Sequence, residues 1–325
     1  MRFFVLMVGL VGSGKTTKAK QFKEAIHMSS PKYDEFGRAD IATYISSDDI
    51  RAEFGNVNDQ SQNERVFKEV HNRIKEATQR YEHIIVDATN LTIKSRKSIL
   101  NCIKDVNGYH KQAYVMTTPI SICKKQNANR DRVVPEFVID NMIRKFEIPF
   151  YEEGFDEIIL DGWNFNIMSH WGSDSEVDKN ITTLMDGFDQ KNTHHLYDLG
   201  THCRNVYNEL KKRSNNSMLI RSALVHDIGK LYTGEPKEDG SGNWGYKQHH
   251  NYGTYTLLQN IDYLCIPEIE KVLEILFYVN YHMQPFFIQS EKSEKKWKEI
   301  FGEEKYNNLL IFNECDKIGS GTHRE

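Results

Sequence analysis

Short apolar runs alternate with amphipathic stretches over residues 2–160, and the pattern then changes character. FFVLMV, ATYIS, HIIVD, QAYVM and DEIIL read as buried strands, and the segments between them carry helical periodicity. That alternation predicts an α/β domain, a parallel sheet flanked by helices. The clearest helix follows Asp59, where Val66, Phe67, Val70, Ile74 and Ala77 fall on one face and Glu, Lys and Arg on the other. Between about Asp161 and Asn192 the pattern dissolves into polar sequence containing WGSDSEVDKN, which marks a boundary. After Thr193 the periodic segments 196–210, 218–231, 266–282 and 306–318 have no strand signals between them, so the second domain is expected to be all-α. The expected organisation is a first domain at 1–162, a linker at 163–190 and a second domain at 191–325.

A chain of 325 residues exceeds one comfortable hydrophobic core, which agrees with two domains. Its 39% apolar and 27% charged residues are ordinary for a globular protein. The net charge of -4, with Lys and Arg dispersed, argues against a protein that coats nucleic acid through a broad basic groove, while leaving recognition of a strand end open. EKSEKKWKE interleaves acids with its lysines and reads as a solvated helical face. Cys102, Cys123, Cys203, Cys265 and Cys315 form no C-x-x-C pair, which suits a reducing cytoplasm. The apolar start is too short for a signal peptide, and no run is long enough to span a membrane.

Candidate chemistry begins at the end of the first strand. GLVGSGKT has the form G-x-x-x-x-G-K-[ST], whose glycines let backbone N–H groups surround phosphates ahead of a helix N-terminus. Gly9, Gly12, Ser13, Gly14, Lys15, Thr16 and Thr17 are the expected nucleotide contacts. Lys15 should reach the β- and γ-phosphates of ATP or another NTP, and the Thr16 hydroxyl should coordinate Mg²⁺. SSDDIR places Asp48 at the carboxyl edge of the second strand, where it can accept a proton from an acceptor hydroxyl, with Arg51 on the same helical face for an anionic acceptor. The competing role is a helix N-cap by Ser47 or Asp48. HIIVDATNL sets Asp87 at the end of a third strand, near Mg²⁺ or its water, with Thr89 and Asn90 beside the acceptor; Asn90 or Thr92 is also a candidate helix cap. KKQNANRDRVVPEF has the charge of a lid in which Arg130 or Arg132 neutralises a transferring phosphoryl group.

In this order and spacing, the four elements resemble the kinase domain of phage T4-type polynucleotide kinases, over about residues 1–160. The resemblance implies Lys15 and Thr16 as phosphate and Mg²⁺ ligands, Asp48 as general base, Arg51 as acceptor-phosphate clamp and Arg130 as lid arginine. Gln126 departs from it, standing where a further lid arginine is expected; Arg132 is the alternative source of that charge.

The second half carries His202, His226-Asp227, His249, His282 and Asp316 in series, while His110, His170 and His323 read as ordinary histidines. Imidazoles and carboxylates together suit Mn, Fe, Ni, Co or Zn, and an adjacent His-Asp pair lets one carboxylate bridge two ions. HLYDLGTHCRNV, LIRSALVHDIGK, KQHHNYG, VNYHMQP and LLIFNECDKIG resemble the HD phosphohydrolase superfamily over roughly residues 190–322. The resemblance implies one metal on His202, His226, Asp227 and Asp316 and a second on His249 and His282, bridged by Asp227, with Lys230 at a substrate phosphate. His249 is chosen over His250 because the family carries a Gly or Ser four residues later, here Gly253. His195 is a further candidate for the pocket, with capping or packing as its competing role.

Together the two resemblances imply a bifunctional enzyme acting on RNA or DNA ends. One site adds a 5′-phosphate and the other removes a 2′,3′-cyclic or 3′-phosphate, preparing ends for a downstream nucleic-acid ligase. The T4-type fusion uses an Asp-x-Asp phosphatase instead, and no D-x-D occurs here. Bacterial fusions of an HD module to such a kinase run in the opposite order. The alternatives are a small-metabolite or nucleoside kinase joined to an HD nucleotidase, and a nucleotide-sensing regulator.

Overall fold

The computed structural model describes residues 1–29, 41–55, 59–162, 182–264 and 266–322. Cys265, His170, His323 and most of the expected linker, residues 163–181, lie outside the described residues. The chain forms two compact units, one of Met1–Ile139 with Pro149–Asp161 and one of Asp140–Ile148 with Gly162–Glu325.

The first unit is built on strands β1 (Arg2–Val8), β2 (Ala42–Ser46), β3 (His83–Asp87), β4 (Tyr109–Val115) and β5 (Glu157–Leu160). They form a five-stranded sheet in the order β2-β3-β1-β4-β5. Every pairing is parallel, with Phe4 in register with Ile84 on one side of β1 and Lys111 on the other. Central strands covered on both faces need apolar residues at consecutive positions, and Phe4, Val5, Leu6, Met7 and Val8 are all buried. Helices α1 (Lys15–Ser29), α2 (Ser47–Glu53), α3 (Asn63–Gln79), α4 (Ile93–Leu100), α5 (Ile120–Ala128) and α6 (Glu136–Ile143) follow in the connections. Helix α1 packs Ala19 and Phe22 on Val5, Met7, Ile85 and Tyr114. Helix α3 buries Val66, Val70, Ile74 and Ala77, the expected stripe, with Phe67 only partly covered.

The second unit is helical: α7 (Leu199–Arg213), α8 (Ser217–Ser222), α9 (Lys230–Thr233), α10 (His249–Gln259), α11 (Ile269–Tyr281), α12 (Glu291–Phe301) and α13 (Glu303–Gly319). It adds a short antiparallel ribbon of β6 (Gly234–Pro236) and β7 (Trp244–Tyr246). The single helix expected over 218–231 is broken. After Ser222 the backbone tightens into three-residue turns, with Leu224 N–H donating to Arg221 O (3.1 Å), Val225 N–H to Ser222 O (3.1 Å) and Ile228 N–H to Val225 O (3.1 Å). Gly229 marks the cause, because a Cβ there would meet His249 O at 2.0 Å and Gly253 N at 2.6 Å. Close packing on α10, at its own Gly253, requires a bare backbone and bends the chain around it.

Segment 140–148 packs with the second unit. Its backbone is read by buried amides: Asn280 Oδ1 accepts from Ile148 N–H (2.7 Å), and Asn251 Nδ2 donates to Arg144 O (2.7 Å). Phe146 meets Tyr255 edge to face at 5.2 Å. No helix among the described residues is long and apolar enough to cross a membrane.

Candidate functional site

At the carboxyl end of β1 the chain turns through Gly9–Gly14 into α1. Gly12 sits at φ 76°, and a Cβ there would lie 2.3 Å from Cys123 O, so the loop admits only glycine at that position. Gly9 N–H donates to Thr89 O (3.0 Å), tying the loop to the end of β3. Lys15 is buried and donates from Nζ to Leu10 O (2.6 Å). Burial pulls its pKa down to about 8, against the attraction of Asp87. Ser13 Oγ is buried without a hydrogen-bond partner among the described residues, whereas Thr16 and Thr17 are exposed at the first turn of α1.

The Thr16 hydroxyl donates to Asp87 Oδ2 (2.6 Å), and the Tyr44 hydroxyl donates to the same oxygen (2.7 Å). A hydroxyl beside a carboxylate at the phosphate loop is a hard-oxygen donor pair that fits Mg²⁺. Tyr44 carried no sequence signal.

Asp48 lies on the first turn of α2. The cap of that helix is Ser46, whose Oγ accepts from Asp49 N–H (3.1 Å), one residue ahead of the capping candidates Ser47 and Asp48. Asp48 is half exposed, with Arg132 donating to Oδ1 (3.2 Å) and an Arg130 nitrogen 3.9 Å from Oδ2. The structure thus brings Asp48 together with Arg130 and Arg132. Arg51 is buried, donates to Asp59 O (3.4 Å) and leaves its Nε without a partner among the described residues. Asn90, at φ 48°, is also buried and donates from Nδ2 to Met7 O (2.8 Å), so its amide braces the end of β1. Thr92 caps the next helix through a capping box with Ser95, leaving Thr89 partly exposed.

The second unit assembles the His-Asp series. Ligand atoms of His202, His226 and Asp316 lie within 4.8 Å of one another, as do those of His226, Asp227 and His282. Asp227 is the hub: Oδ2 is 3.3 Å from His202 Nε2 and 3.3 Å from His226 Nε2, and Oδ1 is 2.9 Å from His249 Nε2 and 3.6 Å from His282 Nε2. Asp316 Oδ1 lies 3.1 Å from His202 Nε2. His249 occupies the cluster, and the His250 ring lies 5.6 Å from it, edge to face. Each of His226, His249 and His282 holds its Nδ1 2.8 Å from the backbone oxygen three residues earlier, of Ala223, Tyr246 and Val279. A proton on Nδ1 leaves the Nε2 lone pair free to face inward.

That inward set fits a transition metal. Among the described residues, His226 Nε2 and both ring nitrogens of His202 are buried without an aligned hydrogen bond, the two Nε2 atoms facing only the carboxylate oxygens of Asp227 and Asp316, and the Nε2 atoms of His249 and His282 face each other at 3.2 Å. Facing lone pairs at that distance need a cation or a proton between them. The field agrees: burial opposes a charge on His202, yet Asp227 and Asp316 raise its pKa to about 9. Burial instead takes His282 down to about 4.

Lys230 Nζ donates to Asp227 Oδ2 (2.7 Å) and Gln190 Oε1 (2.8 Å) and sits 3.3 Å from His195 Nε2. Its donors are engaged within the cluster, so Lys230 orients the hub carboxylate. Gln190 escaped the sequence reading because its role depends on a loop folding back over the cluster. Above lies a cavity of about 420 Å³ whose lining includes His195, Lys237, Trp244, Phe286 and Lys317.

The parallel sheet, the phosphate loop and the Thr16–Asp87 pair define the first unit as a kinase-like P-loop domain, and residues 4–149 match the family model described as an AAA domain. Over 152 residues the chain is 26% identical to the L-seryl-tRNA(Sec) kinase of Methanococcus maripaludis, covering 47% of this chain and 55% of that protein. The chain thus spans about half the length of this curated relative. A chain from the structure of the Pnkp1/Rnl/Hen1 RNA repair complex is similar at 18% identity and a TM-score of 0.35, over 44% of this chain and 43% of that one.

Proposed function

We propose that this chain is a bifunctional end-healing enzyme: an ATP-dependent 5′-hydroxyl kinase joined to an HD-type, metal-dependent phosphohydrolase acting on 2′,3′-cyclic or 3′-phosphate ends of RNA or DNA. The observation that carries the reading is the presence in one chain of a carboxylate flanked by two arginines beside a phosphate loop and of a buried His-Asp cluster. The first supports phosphoryl transfer to a hydroxyl, and the second supports phosphate-ester hydrolysis. The relative's name, a kinase for a seryl-tRNA, agrees with a hydroxyl acceptor carried on nucleic acid.

In the kinase site Asp48 takes the proton of the 5′-hydroxyl, whose oxygen attacks the γ-phosphorus as ADP leaves. Arg130 and Arg132 meet the charge on the transferred group, Arg51 holds the acceptor phosphate, and Thr16 and Asp87 would hold Mg²⁺. In the second site His202, His226, Asp227 and Asp316 would hold one ion, and His249, His282 and Asp227 offer donors that would hold a second. An ion so held supplies Lewis acidity and lowers the pKa of water. The histidine Nδ1 anchors and Lys230 keep the donor atoms aimed, and the downstream partner of such healed ends is a ligase.

The test is incubation with labelled ATP and a 5′-hydroxyl oligonucleotide, then assay of phosphate release from 3′-phosphate and 2′,3′-cyclic ends with Mn²⁺ or Ni²⁺. Label entering the oligonucleotide and phosphate leaving its 3′ end is the expected result. Transfer to free nucleosides and none to the oligonucleotide would establish the competing reading, a nucleoside or small-metabolite kinase joined to an HD nucleotidase, which the net charge of -4 favours.

A further inference from the structure

The cavity over the His-Asp cluster has a wall that phosphate chemistry alone does not require. The loop after Phe188 is laced to the β6–β7 ribbon: Trp244 N–H donates to Lys191 O (2.8 Å), Thr193 N–H to Asn243 Oδ1 (3.1 Å), and Tyr246 Oη to Gln190 O (2.7 Å). The Lys191 ammonium lies 4.2 Å from the centre of the Trp244 ring. Backbone and cation together hold that indole in place at the cavity. Phe286, on the turn Gln284–Phe287, lines the same cavity while 42% exposed, with the Lys317 ammonium 5.2 Å from its ring.

Trp244 and Phe286 thus present two aromatic rings to one cavity beside the His-Asp cluster, a surface on which a flat apolar group can stack. The cations are also distributed in a telling way. Lys230 directs its donors to Asp227 and Gln190, whereas Lys237 and Lys317 line the cavity with ammonium groups that make no hydrogen bond or ion pair among the described residues. The volume of about 420 Å³ suits one nucleotide unit.

We propose that the cavity is a subsite for the terminal nucleoside of the phosphoester, its base lying against Trp244 and Phe286 and its phosphate facing the cluster between Lys237 and Lys317. The substrate class is then a nucleoside phosphate end, discriminated by its base from other phosphomonoesters. This rests on the reading of the cluster as a phosphohydrolase.

The full chain is assayed with a nucleoside 3′-monophosphate and with glycerol phosphate, which offers the same ester without an aromatic group. The wild-type preference for the nucleotide should fall about tenfold in Phe286→Ala and in Trp244→Leu, chiefly through KM, the size of effect that loss of a base-stacking ring produces. Phe286→Tyr and Trp244→Phe should restore it. A parallel loss on both esters, with the ratio intact, overturns the subsite and leaves the ribbon a structural wall. Calorimetric binding of the two esters to the intact chain separates the remaining cases. Equal affinity for the two esters sinks the subsite even if hydrolysis proceeds. Tighter nucleotide binding that the two variants lose, in a protein that hydrolyses neither ester, upholds the subsite and rejects the phosphohydrolase.

Discussion

Lys15 is the residue where position and protonation meet most directly. Burial holds its pKa at about 8, so above that pH the ammonium must regain a proton before it can pair with phosphate. ATP affinity is therefore expected to be level between pH 7 and 8 and to fall by about tenfold per pH unit beyond it, with proton uptake on binding. Equilibrium titrations in buffers of different ionisation enthalpy read both quantities; a level affinity up to pH 9.5 would refute it, and Lys15→Met should bind weakly without the inflection. Gly229 is the counterpart in the second unit, set by space instead of charge. Gly229→Ala drives a methyl toward His249 O and Gly253 N, overpacking expected to cost about 1–3 kcal/mol and to displace a cluster histidine. Calorimetry should show the loss of stability together with weaker Mn²⁺ binding. Unchanged melting would mean that the turn yields freely.

Between elements, the buried pair Arg96–Glu153 joins α4 to the turn Tyr151–Glu153, with Nε donating to Oε2 (2.8 Å) and a terminal nitrogen to Oε1 (2.7 Å). Arg96 also donates to Asn90 O (3.1 Å), steadying the loop that the phosphate-binding turn leans on. Removing the arginine alone strands a buried carboxylate and should cost about 3–5 kcal/mol, whereas Arg96→Met with Glu153→Leu should cost far less. A double-mutant cycle in urea checks this, and equal losses in the single and double variants would contradict it. Such long-range pairs are what periodicity cannot reveal. The strands were legible because burial on both faces demands unbroken apolar runs, and His249 was separable from His250 through Gly253, whose contact is with Gly229. The helix expected over 218–231 failed because its apolar spacing is equally compatible with successive tight turns, and a close approach decided between them. Segment 140–148 was misplaced in the first domain, since it is held by Asn251 and Asn280, more than a hundred positions away. The ribbon gave no signal in strands of three residues that include Gly and Pro.

At the scale of the molecule, the two sites draw on separate residue sets in separate compact units, which makes their chemistry separable by experiment. Asp48→Ala should abolish phosphate transfer to a 5′-hydroxyl and spare phosphate release, and Asp227→Ala should do the reverse; loss of both activities in each variant would contradict independent sites. Metal supplies a readout that needs no turnover. A ligand bound only by the folded state stabilises it by RT ln(1 + [L]/Kd), about 2.7 kcal/mol at a hundredfold excess over Kd. Mn²⁺ should therefore raise the unfolding transition of the second unit, and a chelator should reverse the shift. Mg²⁺ with an ATP analogue should instead raise that of the first. His202→Ala should erase the Mn²⁺ effect alone, because its ring faces both carboxylates of the cluster, 3.3 Å from Asp227 and 3.1 Å from Asp316. Were Mn²⁺ to stabilise the variant as much as the parent chain, the ion would be binding elsewhere, and the cluster would be a buried proton network in place of a metal centre.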